Sequence, residues 1–210
     1  METDIFLANK GETKTQRLHP TWLSVIPGIW IDGKTYWVRD SFEKIISEEA
    51  ISIHMKESSI HSRTKIHDLF IRNHGKRKRN IKLLFIHHYP NVTKEMFSFI
   101  SPAEKLIFHI KNDHIFLVNG HCKGISMEQM TIQPFWLVHT DLIWQSLEKG
   151  ILEYRPMTKG ITGSVFSLNA KIDVGETCKA TTWMLFGHNK NELFQLNSVL
   201  KNTLAFPTKR

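Results

Sequence analysis

The sequence predicts an all-β protein, a large antiparallel two-sheet β-sandwich with a C-terminal α-helix, and three observations carry that prediction. Apolar residues recur with period two in several segments, turn-forming Asp-Gly and Asn-containing stretches separate those segments, and a capped helical stripe closes the pattern. With 210 residues, 41% of them hydrophobic and 23% charged, the chain can bury a sizeable core without disulfides or metals. One domain across 1–210 is the expected organisation, since no linker, repeat or low-complexity tract divides it.

The elements follow in order. Trp30-Ile31-Asp32-Gly33-Lys34 sets Asp-Gly between two β-prone runs, and that dipeptide supplies the positive φ angles of a tight hairpin. Ile51, Ile53 and Met55 alternate with Ser52, His54 and Lys56, which marks a half-buried strand. Asn73-His74-Gly75-Lys76 separates the β-prone runs Thr64 to Arg72 and Ile81 to Tyr89 and reads as another hairpin. Ile81 to Ile86 is apolar on both faces, so this strand is expected in the middle of a sheet covered on each side. Lys111-Asn112-Asp113-His114 predicts a further hairpin. A short helix is expected around Thr140 to Leu147, stopped by Gly150. Phe166, Leu168, Ala170 and Ile172 alternate with Ser167, Asn169 and Lys171 as a strand with one inward face. Asn189, with Glu192 three residues on as in a capping box, opens a helix whose stripe is Leu193, Leu196, Val199 and Leu200.

Composition narrows the functional classes. The longest apolar runs, such as Leu83 to Ile86, fall far short of the roughly 18 residues a membrane helix needs, so no membrane partner is expected. The start METDIFLANKGETK lacks the apolar core of a secretory signal, which predicts a cytoplasmic protein. The two cysteines, Cys122 and Cys178, form no CxxC pair and are predicted to be free thiols. A net charge of +8 raises the question of an anionic partner.

Several stretches resemble, in order, the β-supersandwich that precedes the catalytic domain of bacterial glycoside hydrolase family 15 proteins, the glucoamylase, glucodextranase and trehalase relatives. They are Gly28-Ile29-Trp30-Ile31-Asp32-Gly33, then Phe70-Ile71-Arg72-Asn73 followed by Ile81 to Tyr89 with His87 and His88, and Leu106 to Lys111. Gly150-Ile151-Leu152 through Gly160 continues the likeness, and Asp173-Val174-Gly175-Glu176, Thr182 to Gly187 and the final helix carry it most clearly. The resemblance implies a galactose mutarotase-like superfold and a role in carbohydrate metabolism. It also implies a stand-alone copy, because the (α/α) barrel that holds the family's acid and base would need roughly 200 further residues. The family's acidic run is replaced here by Gln145-Ser146-Leu147-Glu148-Lys149, which keeps one carboxylate.

No catalytic pair is marked. Glycoside hydrolysis needs two carboxyls about 5 to 10 Å apart, and Asp141, Glu148 and Glu153 have the scattered spacing of solvated loop residues. Twelve histidines raise a metal hypothesis for His87-His88 beside His54, His61, His67 and His74. Neighbouring strand residues point to opposite faces, however, so no metal site and no cofactor are expected. Lys76-Arg77-Lys78-Arg79 follows Gly75 in a turn and reads as a charged loop, which makes nucleic acid the least expected partner.

Among the six tryptophans, Trp136 and Trp144, together with Tyr154, lie in the least regular region, where a ring face can cover a pyranose. These three are the candidate sugar-binding residues, ranked above Trp30, Trp37 and Trp183 in predicted strands. The expected function is a noncatalytic module that binds an α-glucan or oligosaccharide, or docks on a catalytic-domain partner or a second copy through an exposed sandwich face. A small mutarotase-like enzyme is the first alternative and nucleic-acid binding the second.

Overall fold

A computed structural model describes residues 21–39, 41–90 and 96–205; the start that was read for a secretory signal lies outside them. The first half of the chain forms β1 (Ser24–Ile31), β2 (Lys34–Trp37), β3 (Glu43–Ile46), β4 (Ile51–His61), β5 (Thr64–Asn73) and β6 (Arg79–His88). Then come β7 (Met96–Ser101), β8 (Leu106–Lys111), β9 (His114–Cys122), β10 (Ile125–Ser126) and β11 (Gln129–Pro134). The short β12 (Trp144–Ser146), β13 (Ile151–Leu152) and β14 (Met157–Lys159) precede the long β15 (Thr162–Ile172) and β16 (Thr177–Gly187), and α1 (Lys190–Ala205) ends the fold.

All but β12 and β13, which pair only with each other, make two antiparallel sheets. The smaller runs β11-β15-β6-β1-β2, and the larger runs β14-β7-β8-β9-β16-β5-β4-β3 with β10 paired to β9. Between them Ile29, Ile31, Leu83, Phe85, Phe166 and Leu168 of the small sheet share one core with Ile53, Leu69, Ile71 and Phe116 of the large one. The alternate residues of the small sheet, Leu84, Ile86 and Val165 with Ile26 and Trp30, face the other way into a second core. That core is closed by Phe135, Val138, Ile143, Trp144, Leu147 and Leu152 from an excursion between β11 and β14. β6 is therefore apolar on both faces because it is central and covered twice, as its sequence predicts.

The Asp32-Gly33 hairpin forms, with φ of 47° and 82° at the two residues, and the Lys111 to His114 turn joins β8 to β9. The turn at Asn73 differs from its expectation. β5 and β6 belong to different sheets, so the link is a corner rather than a hairpin. The side chain of Asn73 is fully buried and builds that corner: its amide donates to the carbonyls of Arg77 (2.8 Å), Ile172 (3.2 Å) and Asp173 (3.2 Å) and its Oδ1 accepts from Gly75 N. Ile172 and Asp173 open the second corner, from β15 to β16, so one residue stitches both crossings together.

The helix expected at Thr140 to Leu147 is instead a 3-10 turn at Asp141–Ile143, which runs into β12 paired with β13. Eight residues stopped by Gly150 offer too few backbone bonds to offset helix nucleation, whereas the ribbon buries Trp144 and Leu152. Helix α1 is capped as predicted, Asn191 N donating to Asn189 Oδ1 at 2.8 Å, but Glu192 pairs with Arg63 at 2.5 Å. Its inner face uses Leu193, Leu200 and Asn197, which accepts from the Trp183 indole at 2.9 Å, while Val199 points to solvent at 66% exposure. The helix thus covers the outer face of the large sheet at Trp183 and Phe108.

Candidate functional site

The excursion between β11 and β14 provides the clearest surface site. Strand β2 is an edge of the small sheet, and its Tyr36 and Trp37, with Arg39 and Lys44 just beyond, form one wall of a cleft of about 540 Å³. His139 and Asp141 of the excursion form the other wall. Trp37 can lie against β1 because its register partner is Gly28, where a Cβ would come within 2.8 Å of both the Trp37 ring and the Tyr36 carbonyl. His139 meets the Trp37 ring edge-on at a centroid distance of 6.3 Å. Burial, followed by the charge of Arg39, pushes the His139 imidazole down to about 4, so it is neutral at pH 7. Tyr36 donates to Glu49 Oε1 at 3.2 Å, and burial beside that carboxylate raises its phenol to about 12. The cleft therefore combines an aromatic wall, two cations, a carboxylate and a neutral imidazole, a set suited to a polar ligand with one apolar face.

The three candidate aromatics fall in different situations. Trp136, on the 3-10 turn Phe135–Leu137, is 66% exposed, and Tyr154, just after β13, is 62% exposed. Trp144 is only 8% exposed; its indole donates to Thr35 Oγ1 at 3.1 Å and leans on Trp30 at 6.4 Å, so it anchors the excursion from beneath. Leu142, Ile151 and Met157 are also exposed on this excursion or its exit. In the sequence Trp37 is a strand residue with no local signal of a site; only the excursion folding back over β2 turns it into a cleft wall. Of the carboxylates weighed as catalytic, Glu148 and Asp141 are exposed and Glu153 lies 3.6 Å from Arg155, while Asp141 alone lines the cleft.

The histidines named for a metal do not converge. His54 of β4 pairs with Glu43 at 2.8 Å, His67 of β5 with Glu57 at 3.2 Å, and His74, just past β5, with Ser52 at 2.7 Å. His87 and His88 do point to opposite faces: His87 is buried between the sheets near Thr182 Oγ1 (3.2 Å), whereas His88 packs on Phe135 of the excursion. His109, also fully buried, sits between Ser98 Oγ (2.8 Å) and Ser164 Oγ (2.9 Å). Desolvation drives His109 down to about 3 and His87 well below its ordinary range, so both are neutral parts of a polar end of the core.

The basic cluster is largely paired. Arg79 is the first residue of β6 and 9% exposed, its guanidinium 3.2 Å from Glu49 and 3.5 Å from Asp32; it is a buried strand residue rather than part of a charged loop. Arg77 lies 3.7 Å from Asp32, and Lys78 lies 2.9 Å from Asp173. Only Arg79 is committed to a buried pair; Arg77 and Lys78 stay at the surface, where Asp32 and Asp173 offset part of their charge.

Two antiparallel sheets, a covered outer face and a terminal helix define the class: this is an all-β sandwich. A bacterial glucoamylase solved in complex with acarbose shares it at a TM-score of 0.60 and 11% identity, over 85% of this chain and 28% of that one. A polysaccharide lyase aligns over 86% of this chain and 28% of its own at 11% identity, with a TM-score of 0.42 that is too low to bear on the fold. The chain thus spans a little over a quarter of the glucoamylase (28%), and the likeness is one of fold. No protein-family profile and no curated protein sequence matches it. Among the described residues no helix is long and apolar enough to cross a membrane.

Proposed function

We propose that the chain is a noncatalytic sandwich module, one domain across 1–210, that binds an α-glucan or related oligosaccharide in the cytoplasm. One observation carries the reading: a single excursion supplies both the exposed rings of Trp136 and Tyr154 and the His139-Asp141 wall of the cleft opposite Trp37. A sugar presents an apolar ring face and a polar rim, and this surface offers both complements. The fold shared with a glucoamylase supports a carbohydrate ligand over other polar ligands. The exposed Leu142 and Met157, on the same excursion and its exit, also suit docking by a catalytic-domain partner or a second copy. Calorimetric titration with maltooligosaccharides tests the reading. Binding that weakens about tenfold in Trp136→Ala and in Tyr154→Ala is expected. An unchanged affinity in both variants, or no binding by the native protein, removes it.

The cleft favours one second reading, a mutarotase-like activity, because a neutral imidazole and a carboxylate line the same space. His139 would take the proton of the anomeric hydroxyl and a solvent molecule would protonate the ring oxygen as the ring C–O bond breaks, with the Asp141 carboxylate orienting the sugar. Polarimetry decides: anomer exchange no faster than buffer, or equally fast in His139→Ala, eliminates this reading. Nucleic-acid binding has the weakest support, given the ion pairs that Arg77, Lys78 and Arg79 make within the chain.

A further inference from the structure

We propose that Asp113, His114 and His188 form a binding site for a divalent late transition-metal ion of the zinc, copper or nickel class. Among the described residues these three alone bring three metal-ligating side chains together, each offering a ligand atom within 4.8 Å of the others. The site is separate from the cleft and independent of any sugar.

The sheet builds it. Strands β9 and β16 are antiparallel neighbours whose register ends at Ile115 opposite Gly187, so His114 and His188 continue that ladder one step further and stand across from each other. Their rings lie 5.1 Å apart, and both pack against Phe186, at 5.1 Å from His114 and 5.5 Å from His188. Phe186 in turn packs on Phe116 and Trp22, so the imidazoles stand on a fixed aromatic floor. Asn112 takes φ 54° in the β8–β9 turn, and the Asp113 carboxylate that follows reaches both rings. Its Oδ1 is 3.6 Å from His114 Nε2 and its Oδ2 is 3.4 Å from His188 Nδ1.

The two carboxylate–imidazole separations are close to those around a shared ion, and small rotations of these surface side chains close the set, whose ligand atoms all lie within 4.8 Å. With metal–ligand bonds of about 2.0–2.1 Å, the ligand atoms of a tetrahedral site stand about 3.3–3.4 Å apart. They are long for direct hydrogen bonds. His188 Nδ1 also lies 3.0 Å from the Asp113 carbonyl, a contact the ring exchanges for the ion. Two imidazoles and one carboxylate select a late first-row divalent ion over magnesium or calcium, which require a shell of oxygens. Asp113 and His188 are exposed, so solvent completes the coordination and the ion enters without rearrangement of the core. Binding ties the β8–β9 turn to the junction of β16 and α1.

Zinc titrated against a chromophoric chelator tests the site on the whole chain. One tight equivalent is expected, weakened at least about tenfold by His114→Ala, His188→Ala or Asp113→Asn. Zinc at a hundredfold excess over its dissociation constant should raise the melting temperature by roughly 5–10 °C, and magnesium should not. His54→Ala, which removes another surface histidine paired with a carboxylate, should leave both readouts unchanged. All four side chains are on the surface, and circular dichroism confirms that each variant folds. Zinc affinity undiminished in the His114→Ala/His188→Ala double variant, or no zinc-dependent shift in the native protein, overturns the proposal.

Discussion

Trp37 lies across Gly28, its partner in the β1–β2 register, so closely that a Cβ on Gly28 would come within 2.8 Å of the ring. The close approach lets one indole serve both the second core and the wall of the cleft. Gly28→Ala should therefore displace the ring and destabilise the protein by about 1–3 kcal/mol, as overpacking does. Urea denaturation measures the loss, and a shifted tryptophan emission in the folded state reports the displaced ring. An unchanged midpoint and spectrum contradict the packing described.

Asn73 is a second point of high leverage. Removing its amide leaves the carbonyls of Ile172 and Asp173 without that donor at the two sheet crossings. Asn73→Ala is expected to lower stability by about 2–3 kcal/mol. Asn73→Asp should be at least as damaging, since a carboxylate cannot donate to three carbonyls. The measurement is the denaturant midpoint of each variant.

The buried imidazoles predict acid sensitivity. His109 is lowered from an ordinary 6.5 to about 3, and His87 is lowered well below 6.5, both first by desolvation. Their folded values lie below the unfolded ones, so the unfolded chain binds more protons once the pH drops under about 6.5. The stability they hold is complete above that pH and is lost progressively toward pH 3. Each contributes a slope of up to about 1.4 kcal/mol per pH unit in that window. Urea midpoints at pH 7.5 and 5.0 should differ accordingly, and His109→Gln should flatten the dependence. A midpoint that does not move over this range rules the account out.

Cys122 and Cys178 are both buried, with sulfurs 3.4 Å apart and no disulfide. A chromogenic thiol reagent should find neither thiol in the native protein and two equivalents in guanidinium. Rapid labelling of the folded protein would show that this part of the core opens.

The strand alternation at Ile51 to Met55 and at Phe166 to Ile172, the Asp32-Gly33 turn, the Asn189 cap and the doubly apolar β6 were all legible in the sequence. Each depends on residues within a few positions of one another, where side-chain period and turn chemistry act directly. Position in space was not legible. Asn73 reads as a local turn until its partners at Ile172 and Asp173 reveal a corner, and Trp37 reads as a strand residue until the excursion folds back over it. Nor does any local pattern pair His114 with His188; the register of β9 against β16 does. Local chemistry determines which elements form, whereas the site depends on contacts between distant segments that only the packed sheets bring together.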